Sequence, residues 1–179
     1  MMYLQRKIYI INCGHAIAGY FGQALKGYEI VQDALRDPEL IPQIREAMLE
    51  SASALEIKYG FTHESLVEYM ETMMIKRFTT PGVTDPISRV CREPIRKISP
   101  NDRIMGPAYN CEEYGLDNTY LLKGVACALK YHSDGDIQAE EIHKYIEENG
   151  IEQAIENYTG VEKNSRMFNI IIEEYKKLV

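Results

Sequence analysis

The sequence has no tryptophan, only four cysteines and no long apolar run. The cysteines are widely spaced and form no Cys-x2-Cys pair; four cysteines could form two disulfides, but nothing else in the sequence suggests secretion. We therefore expect reduced thiols at Cys13, Cys91, Cys111 and Cys127. No apolar segment approaches the roughly 18 residues that span a bilayer. The N-terminus also lacks the apolar core of a secretory signal, so a soluble, cytoplasmic protein is expected.

Positive charge is also scarce, with 20 Lys and Arg against 27 Asp and Glu and a net charge of −7. General nucleic-acid binding, which needs a basic surface, is therefore not expected. With 45% hydrophobic and 26% charged residues, the composition is that of an ordinary globular protein. A length of 179 residues suits one domain over 1–179, because a chain of this size buries about 70% of its unfolded surface.

A dinucleotide-binding signature is missing as well. Such a fold needs Gly-x-Gly-x-x-Gly between a strand and a helix, with an acidic residue about 20 positions later. The nearest cluster is Gly14, Gly19 and Gly22 on a helical pattern, which indicates close approach of another helix. No Walker-type loop occurs either, so no NAD site is predicted within this sequence.

The apolar period is helical almost throughout, which predicts an all-α fold. Thr62, Asp85 before Pro86, and Ser99 before Pro100 are predicted helix starts, and Gly27 and Gly60 are predicted stops. We expect helices over about 3–25, 29–36 and 39–59, from Thr62 and from Ser99 into the low 110s, and over 117–131, 137–148, 151–158 and 164–178.

Lys7, Asn12 and His15 share the first predicted helix. At about 100° per residue, Asn12 lies roughly 140° round from Lys7, with His15 between them. An amine, an amide and an imidazole on one broad face provide a general base and two donors for a carbonyl or alkoxide oxygen. A lysine base must be desolvated or lie near a cation, and the neighbouring isoleucines predict partial burial. The alternative is a solvated helix start with no chemical role.

A second group is basic. Five cations fall within fifteen positions of an otherwise acidic chain: Arg89, Arg92, Arg96, Lys97 and Arg103. Guanidinium groups match phosphate oxygens well, so this cluster indicates an anionic substrate. The alternative is a solvated loop with weak local ion pairs.

The pattern Lys-x4-Asn-x2-His followed by Ala-Ile-Ala resembles the signature helix of the polyol-specific long-chain dehydrogenases, the mannitol dehydrogenase family. Its mannitol-1-phosphate 5-dehydrogenase branch is the most similar. The resemblance continues through Lys58-Tyr-Gly-Phe61, Arg77-Phe78, the segment 89–103 and Asn164-Ser165, and so covers essentially the whole chain.

The resemblance implies the C-terminal half of such an enzyme, an all-α domain like those of 6-phosphogluconate dehydrogenase-like enzymes. It implies that Lys7 is the general base and that Asn12 and His15 bind the reacting oxygen. It also puts Arg89 and Lys97 near the substrate. NAD would be held by an N-terminal Rossmann domain or a separate subunit that this sequence lacks, and the isolated domain would self-associate through its exposed docking face.

The implied reaction interconverts D-mannitol 1-phosphate and D-fructose 6-phosphate without a metal. A related mannitol or uronate (fructuronate or tagaturonate) oxidoreductase and a non-catalytic helical binding module are the alternatives. The segment from Lys130 to Glu141 superficially follows a calcium-loop pattern, but Lys130 and His132 stand where oxygen ligands are required. A turn before a capped helix is expected there, and no metal site is predicted.

Overall fold

Helices make up the regular structure of the chain, of which the computed structural model describes residues 1–178. The α-helices, numbered α1 to α12 in chain order, span Met2–Arg6, Cys13–Lys26, Val31–Arg36, Leu40–Tyr59, His63–Met70, Ile87–Val90, Pro94–Lys97, Met105–Tyr114, Thr119–Lys130, Ile137–Asn149, Ile151–Thr159 and Arg166–Lys177. Two π-helical segments, π1 (Lys7–Asn12) and π2 (Glu71–Lys76), join α1 to α2 and follow α5. Within the described residues no helix is long and apolar enough to cross a membrane.

The centre of the fold is formed by α2, α4 and α9, which pack against one another. Helix α8 covers α4, α12 covers α9, and α3 packs on α2. Helix α9 is buried over most of its surface, as expected for a central helix in which most residues are apolar or small. The only β-type pairing in residues 1–178 is one isolated bridge between Ile30 and Pro86. The all-α prediction is confirmed.

Close helix packing explains the glycines of α2. A Cβ at Gly14 would lie 2.6 Å from the Met48 sulfur on α4, and one at Gly22 would lie 3.0 Å from Ala34 Cβ on α3. Gly19 is similarly crowded by a side chain. These three glycines therefore allow other elements to approach α2 closely, as predicted.

Several predicted helix ends are confirmed. Gly27 and Gly60 adopt left-handed conformations at the ends of α2 and α4, where a residue with a Cβ would be strained. The Thr62 hydroxyl accepts a hydrogen bond at the start of α5. Asp136 caps α10 through two backbone N–H groups, so the calcium-like segment is a turn with a capped helix.

The four cysteines are free thiols, as expected, and all four are buried. Burial raises the pKa of Cys111 and Cys127 to about 12 and that of Cys13 and Cys91 further still. The thiols therefore stay protonated and act as small core side chains.

The predicted helix start at Ser99 is wrong, because Ser99 to Arg103 form turns and α8 begins only at Met105. The Asp102 carboxylate accepts from the backbone N–H and the Nε of Arg103. The Asp102 carboxylate is therefore hydrogen-bonded within the turn and does not cap α8. The short helix Pro94–Lys97, which precedes this turn, was not predicted.

The prediction for Asp85 is also wrong. Pro86 is itself the N-cap residue of Ile87–Val90, and the Asp85 side chain makes no capping bond. The bridge between Ile30 and Pro86 aligns the two segments, and the Asp85 carboxylate accepts from Gln32 Nε2 at 2.9 Å. A partner distant in sequence thus takes the place of the local cap, which positions Asp85 beside α2.

Glu50 provides an inter-helix cap. Its carboxylate, on α4, accepts hydrogen bonds from the backbone N–H of Tyr120 at 2.9 Å and of Leu121 at 2.8 Å in the first turn of α9. Burial nevertheless raises the pKa of Glu50 to about 7, while the two backbone bonds act in the opposite direction. Desolvation of the charge therefore outweighs the hydrogen bonds.

We expect Glu50 to make the protein less stable as the pH rises towards neutrality. Its pKa is raised on folding, so the native state holds more protons between pH 4.5 and about 7 and loses stability across that range. The free energy of unfolding should fall by about 2–3 kcal/mol more in the wild type than in Glu50→Gln, a neutral isostere. Urea unfolding at several pH values measures this; parallel pH profiles for the two proteins would contradict the assignment.

Candidate active site

Lys7, Asn12 and His15 lie along one continuous helical rod formed by α1, π1 and α2. Lys7 begins the π segment, Asn12 ends it, and His15 stands in the first turn of α2. The wider π turn, with i→i+5 hydrogen bonds, brings residues five apart closer to one face than an α-helix does. Lys7 and Asn12 are therefore nearer to the same face than the roughly 140° expected for an unbroken α-helix.

The expected burial of Lys7 is wrong for this chain. Lys7 is exposed, whereas Ile10 and Ile11 are buried in the core on the other side of the helix. The isoleucines that follow Lys7 point away from its amine and do not desolvate it. Any exclusion of water from Lys7 must come from outside the described residues.

His15 is held between an aromatic ring and a carboxylate. Its imidazole stacks on Phe78, with ring centroids 4.2 Å apart and planes inclined by 27°. Nε2 lies 3.4 Å from the Asp85 carboxylate. Burial lowers the pKa of His15 below 6.5 and Arg89 and Arg103 lower it further, while Asp85 opposes them. His15 is thus mainly neutral at pH 7, and a neutral imidazole can donate one hydrogen bond and accept another.

Asp85 is a site residue that the sequence analysis missed. It contacts His15 and forms an ion pair with Arg89, one helical turn later. Gln32 fixes it from the other side, because its amide oxygen accepts from the Asp85 backbone N–H at 2.8 Å. The i,i+4 spacing of Asp85 and Arg89 was the available signal, and the Arg77-Phe78 motif was the signal for Phe78.

The basic cluster divides into two parts. Arg89 is joined to Asp85, and Arg103, whose side chain is 17% exposed, is joined to Asp102. Both arginines lower the pKa of His15, so positive charge does gather beside the signature helix.

Arg92 and Arg96 lie on another surface. Arg92 lines an open cleft of about 540 Å³ with Glu93 and the segment 133–138. The Arg96 guanidinium pairs with Glu93 at 3.0 Å, and both side chains are about half exposed. In the described part of the chain, neither arginine pairs with Asp85, the carboxylate beside His15.

Lys97 is 2% exposed, and its amine donates to the backbone carbonyl of Arg92. Burial and, to a smaller extent, the positive charges of Arg103 and Arg96 together lower the pKa of Lys97 to about 8. A lysine whose pKa is lowered this far is the kind of perturbed group that gathers at functional sites. Because Lys97 is buried, its amine stabilises the loop at Arg92 from inside the protein.

No group of three or more His, Cys, Asp or Glu side chains in residues 1–178 is arranged to hold a metal ion. Protein side chains occupy the space beside the glycines of α2, so these glycines do not form a phosphate-binding loop. The side chains gathered around His15 can support proton transfer and hydrogen bonding to an oxygen.

Two comparisons identify the domain. The family model for the mannitol dehydrogenase C-terminal domain matches residues 1–179. The structure also resembles Pseudomonas fluorescens mannitol 2-dehydrogenase, solved as a ternary complex with NAD and D-mannitol, with a TM-score of 0.80 and 23% identity. The match covers 99% of this chain but 38% of that enzyme, and at this identity it shows a shared fold. The chain belongs to the family of mannitol dehydrogenase C-terminal domains.

Proposed function

We propose that this chain is the substrate-binding and catalytic domain of an NAD-dependent mannitol-1-phosphate 5-dehydrogenase. The enzyme would interconvert D-mannitol 1-phosphate and D-fructose 6-phosphate. The observation that carries the proposal is the alignment of Lys7, Asn12 and His15 on one rod, with Arg89 and Arg103 beside His15. An oxygen bound to Asn12 and His15 would be within the field of two cations.

In polyol oxidation, Lys7 would take the proton of the reacting hydroxyl, and in ketone reduction it would return it. The Asn12 amide and the neutral His15 imidazole would hold the oxygen and stabilise its partial negative charge. Asp85 and Phe78 would fix the orientation of the His15 ring. NAD, held by a nucleotide-binding domain outside this sequence, would supply the redox partner for the substrate carbon.

The proposal requires a second domain. The relative with the same fold is much longer than this chain. Tyr3 and Leu4 on α1 are 64% and 60% exposed, next to the exposed Lys7. Exposed apolar side chains at a site that must be closed to water support docking of the nucleotide-binding domain there, and self-association when it is absent.

Oxidation of a free polyol is the second candidate, because the relative with the same fold is a mannitol 2-dehydrogenase. The two candidates share Lys7, Asn12 and His15 and differ in whether the arginines bind a phosphate. Uronate reduction would use the same helix with a carboxylate near the arginines.

An NADH oxidation assay tests the proposal. The chain alone should neither bind NADH nor oxidise it, since it has no dinucleotide motif. Combined with its cognate nucleotide-binding domain, it should oxidise NADH with fructose 6-phosphate and far less with fructose, fructuronate or tagaturonate. Saturable NADH binding by the 179-residue chain would contradict the division of roles. Absence of activity with all four substrates would indicate a non-catalytic module.

A further inference from the structure

The π1 segment has no local cause in the sequence. Lys7–Asn12 contains neither proline nor glycine, and its apolar residues suit an ordinary α-helix. Nevertheless the N–H of Cys13 donates to two carbonyls, that of Ile10 three residues back and that of Ile8 five residues back. The carbonyl of Tyr9, four residues back, is the partner that an α-helix would use.

The Tyr9 carbonyl does not accept from the Cys13 N–H, and it accepts a hydrogen bond from a side chain of another helix instead. The hydroxyl of Ser51, on α4, donates to the Tyr9 carbonyl at 2.6 Å, and Ser51 is fully buried. The ring of Tyr9 is held as well, because it packs so closely on Gly106 that a Cβ there would overlap its hydroxyl. Ser51 thus satisfies the Tyr9 carbonyl, which the change of register deprives of the Cys13 N–H.

The register of this turn decides where Lys7 points. A π turn accommodates one more residue than an α turn, and one residue corresponds to about 100° of helix rotation. If Cys13 bonded to Tyr9, the helix before the turn would rotate by about that angle relative to Asn12 and His15. Lys7 would then leave their common face.

We propose that Ser51 is a positioning residue, whose hydroxyl selects the π register and so keeps Lys7 on the face of Asn12 and His15. Its effect on catalysis rests on the function proposed above, but its effect on the helix register does not. Ser51 would touch neither substrate nor cofactor and would act only through the Tyr9 carbonyl.

Ser51→Ala removes the donor with little change in volume. Ser53→Ala is a matched control on the same helix, since the Ser53 hydroxyl bonds only to its own helix, at the Leu49 carbonyl. Ser51→Thr retains the hydroxyl and tests for rescue. If Ser51→Ala does not fold, Ser51→Cys, with a weaker donor of similar size, replaces it in both measurements.

The register can be measured directly by scalar couplings across hydrogen bonds in the labelled 179-residue chain. The Cys13 amide should couple to the Ile8 carbonyl in the wild type, in Ser53→Ala and in Ser51→Thr, and to the Tyr9 carbonyl in Ser51→Ala. Retention of the Ile8 coupling in Ser51→Ala would overturn the proposal, whether or not the enzyme is active.

Kinetics of the enzyme with its nucleotide-binding domain give the second readout. Loss of the register should lower kcat at least about tenfold, since removal of a correctly placed acid–base group costs about 10²–10⁴. KM should change less than about twofold, because the groups that bind substrate stay in place. Ser51→Thr should recover most of kcat. Equal kcat values for Ser51→Ala and Ser53→Ala would refute the positioning role, whereas an inactive wild type would refute only the proposed function.

Discussion

Replacing Lys7 with alanine is expected to lower turnover about 10²–10⁴-fold in the complete enzyme, the usual loss when a positioned general base is removed. KM should change little, because Asn12, His15 and the arginines would still bind the substrate. A change confined to kcat indicates an interaction made in the transition state. Steady-state kinetics in both directions, across pH, measures this effect.

Lys7→Arg separates the chemistry from the charge. An arginine stays protonated at any accessible pH, so it keeps the positive charge but cannot accept a proton. It should therefore be nearly as inactive as Lys7→Ala. Lys144→Ala, which removes an exposed lysine of α10, is the control and should leave turnover unchanged. Near-normal turnover of Lys7→Ala across pH would show that another group is the base.

The exposure of Lys7 adds a structural condition to this prediction. A lysine base has to be desolvated or placed near a cation, and the residues of this chain leave Lys7 open to water. We therefore propose that docking of the nucleotide-binding domain completes the environment of Lys7, so that the base becomes effective only in the assembled enzyme.

Discrimination between phosphorylated and free sugar is the second large effect. If Arg103 and Arg89 bind the phosphate, two charge-assisted hydrogen bonds of about 1.5–3 kcal/mol each favour the phosphorylated substrate. The ratio of kcat/KM for fructose 6-phosphate over fructose should then be about 10²–10⁴. Comparable efficiency on the two sugars would exclude the phosphate assignment and favour a free-polyol dehydrogenase.

Single arginine variants identify the residues responsible. Arg103→Ala should raise KM for fructose 6-phosphate about tenfold to a hundredfold and leave KM for fructose nearly unchanged. Arg96→Ala should raise this KM less, because the Arg96 guanidinium forms an ion pair with Glu93 on an exposed surface. Because Arg103 also pairs with Asp102, thermal unfolding of each variant should accompany the kinetics.

The sequence by itself determined the fold class and most helix ends. Helical periodicity shows in the spacing of apolar residues that are close in sequence. Caps such as Thr62 and stops such as Gly60 act within one turn of the backbone. For the same reason the sequence placed Lys7, Asn12 and His15 on one helix. Their motif also led to the correct family.

Only the tertiary structure decided the geometry of the site. The π turn is tied to Ser51, 42 positions away, and His15 meets Asp85, 70 positions away, through the pairing of Ile30 with Pro86. Contacts between residues so distant in sequence leave no local pattern. Asp85 therefore resembled a helix cap, and Arg92 and Arg96 could not be distinguished from Arg103. Burial and pairing of each charge depend on which helices pack together, and packing is a property of the whole chain.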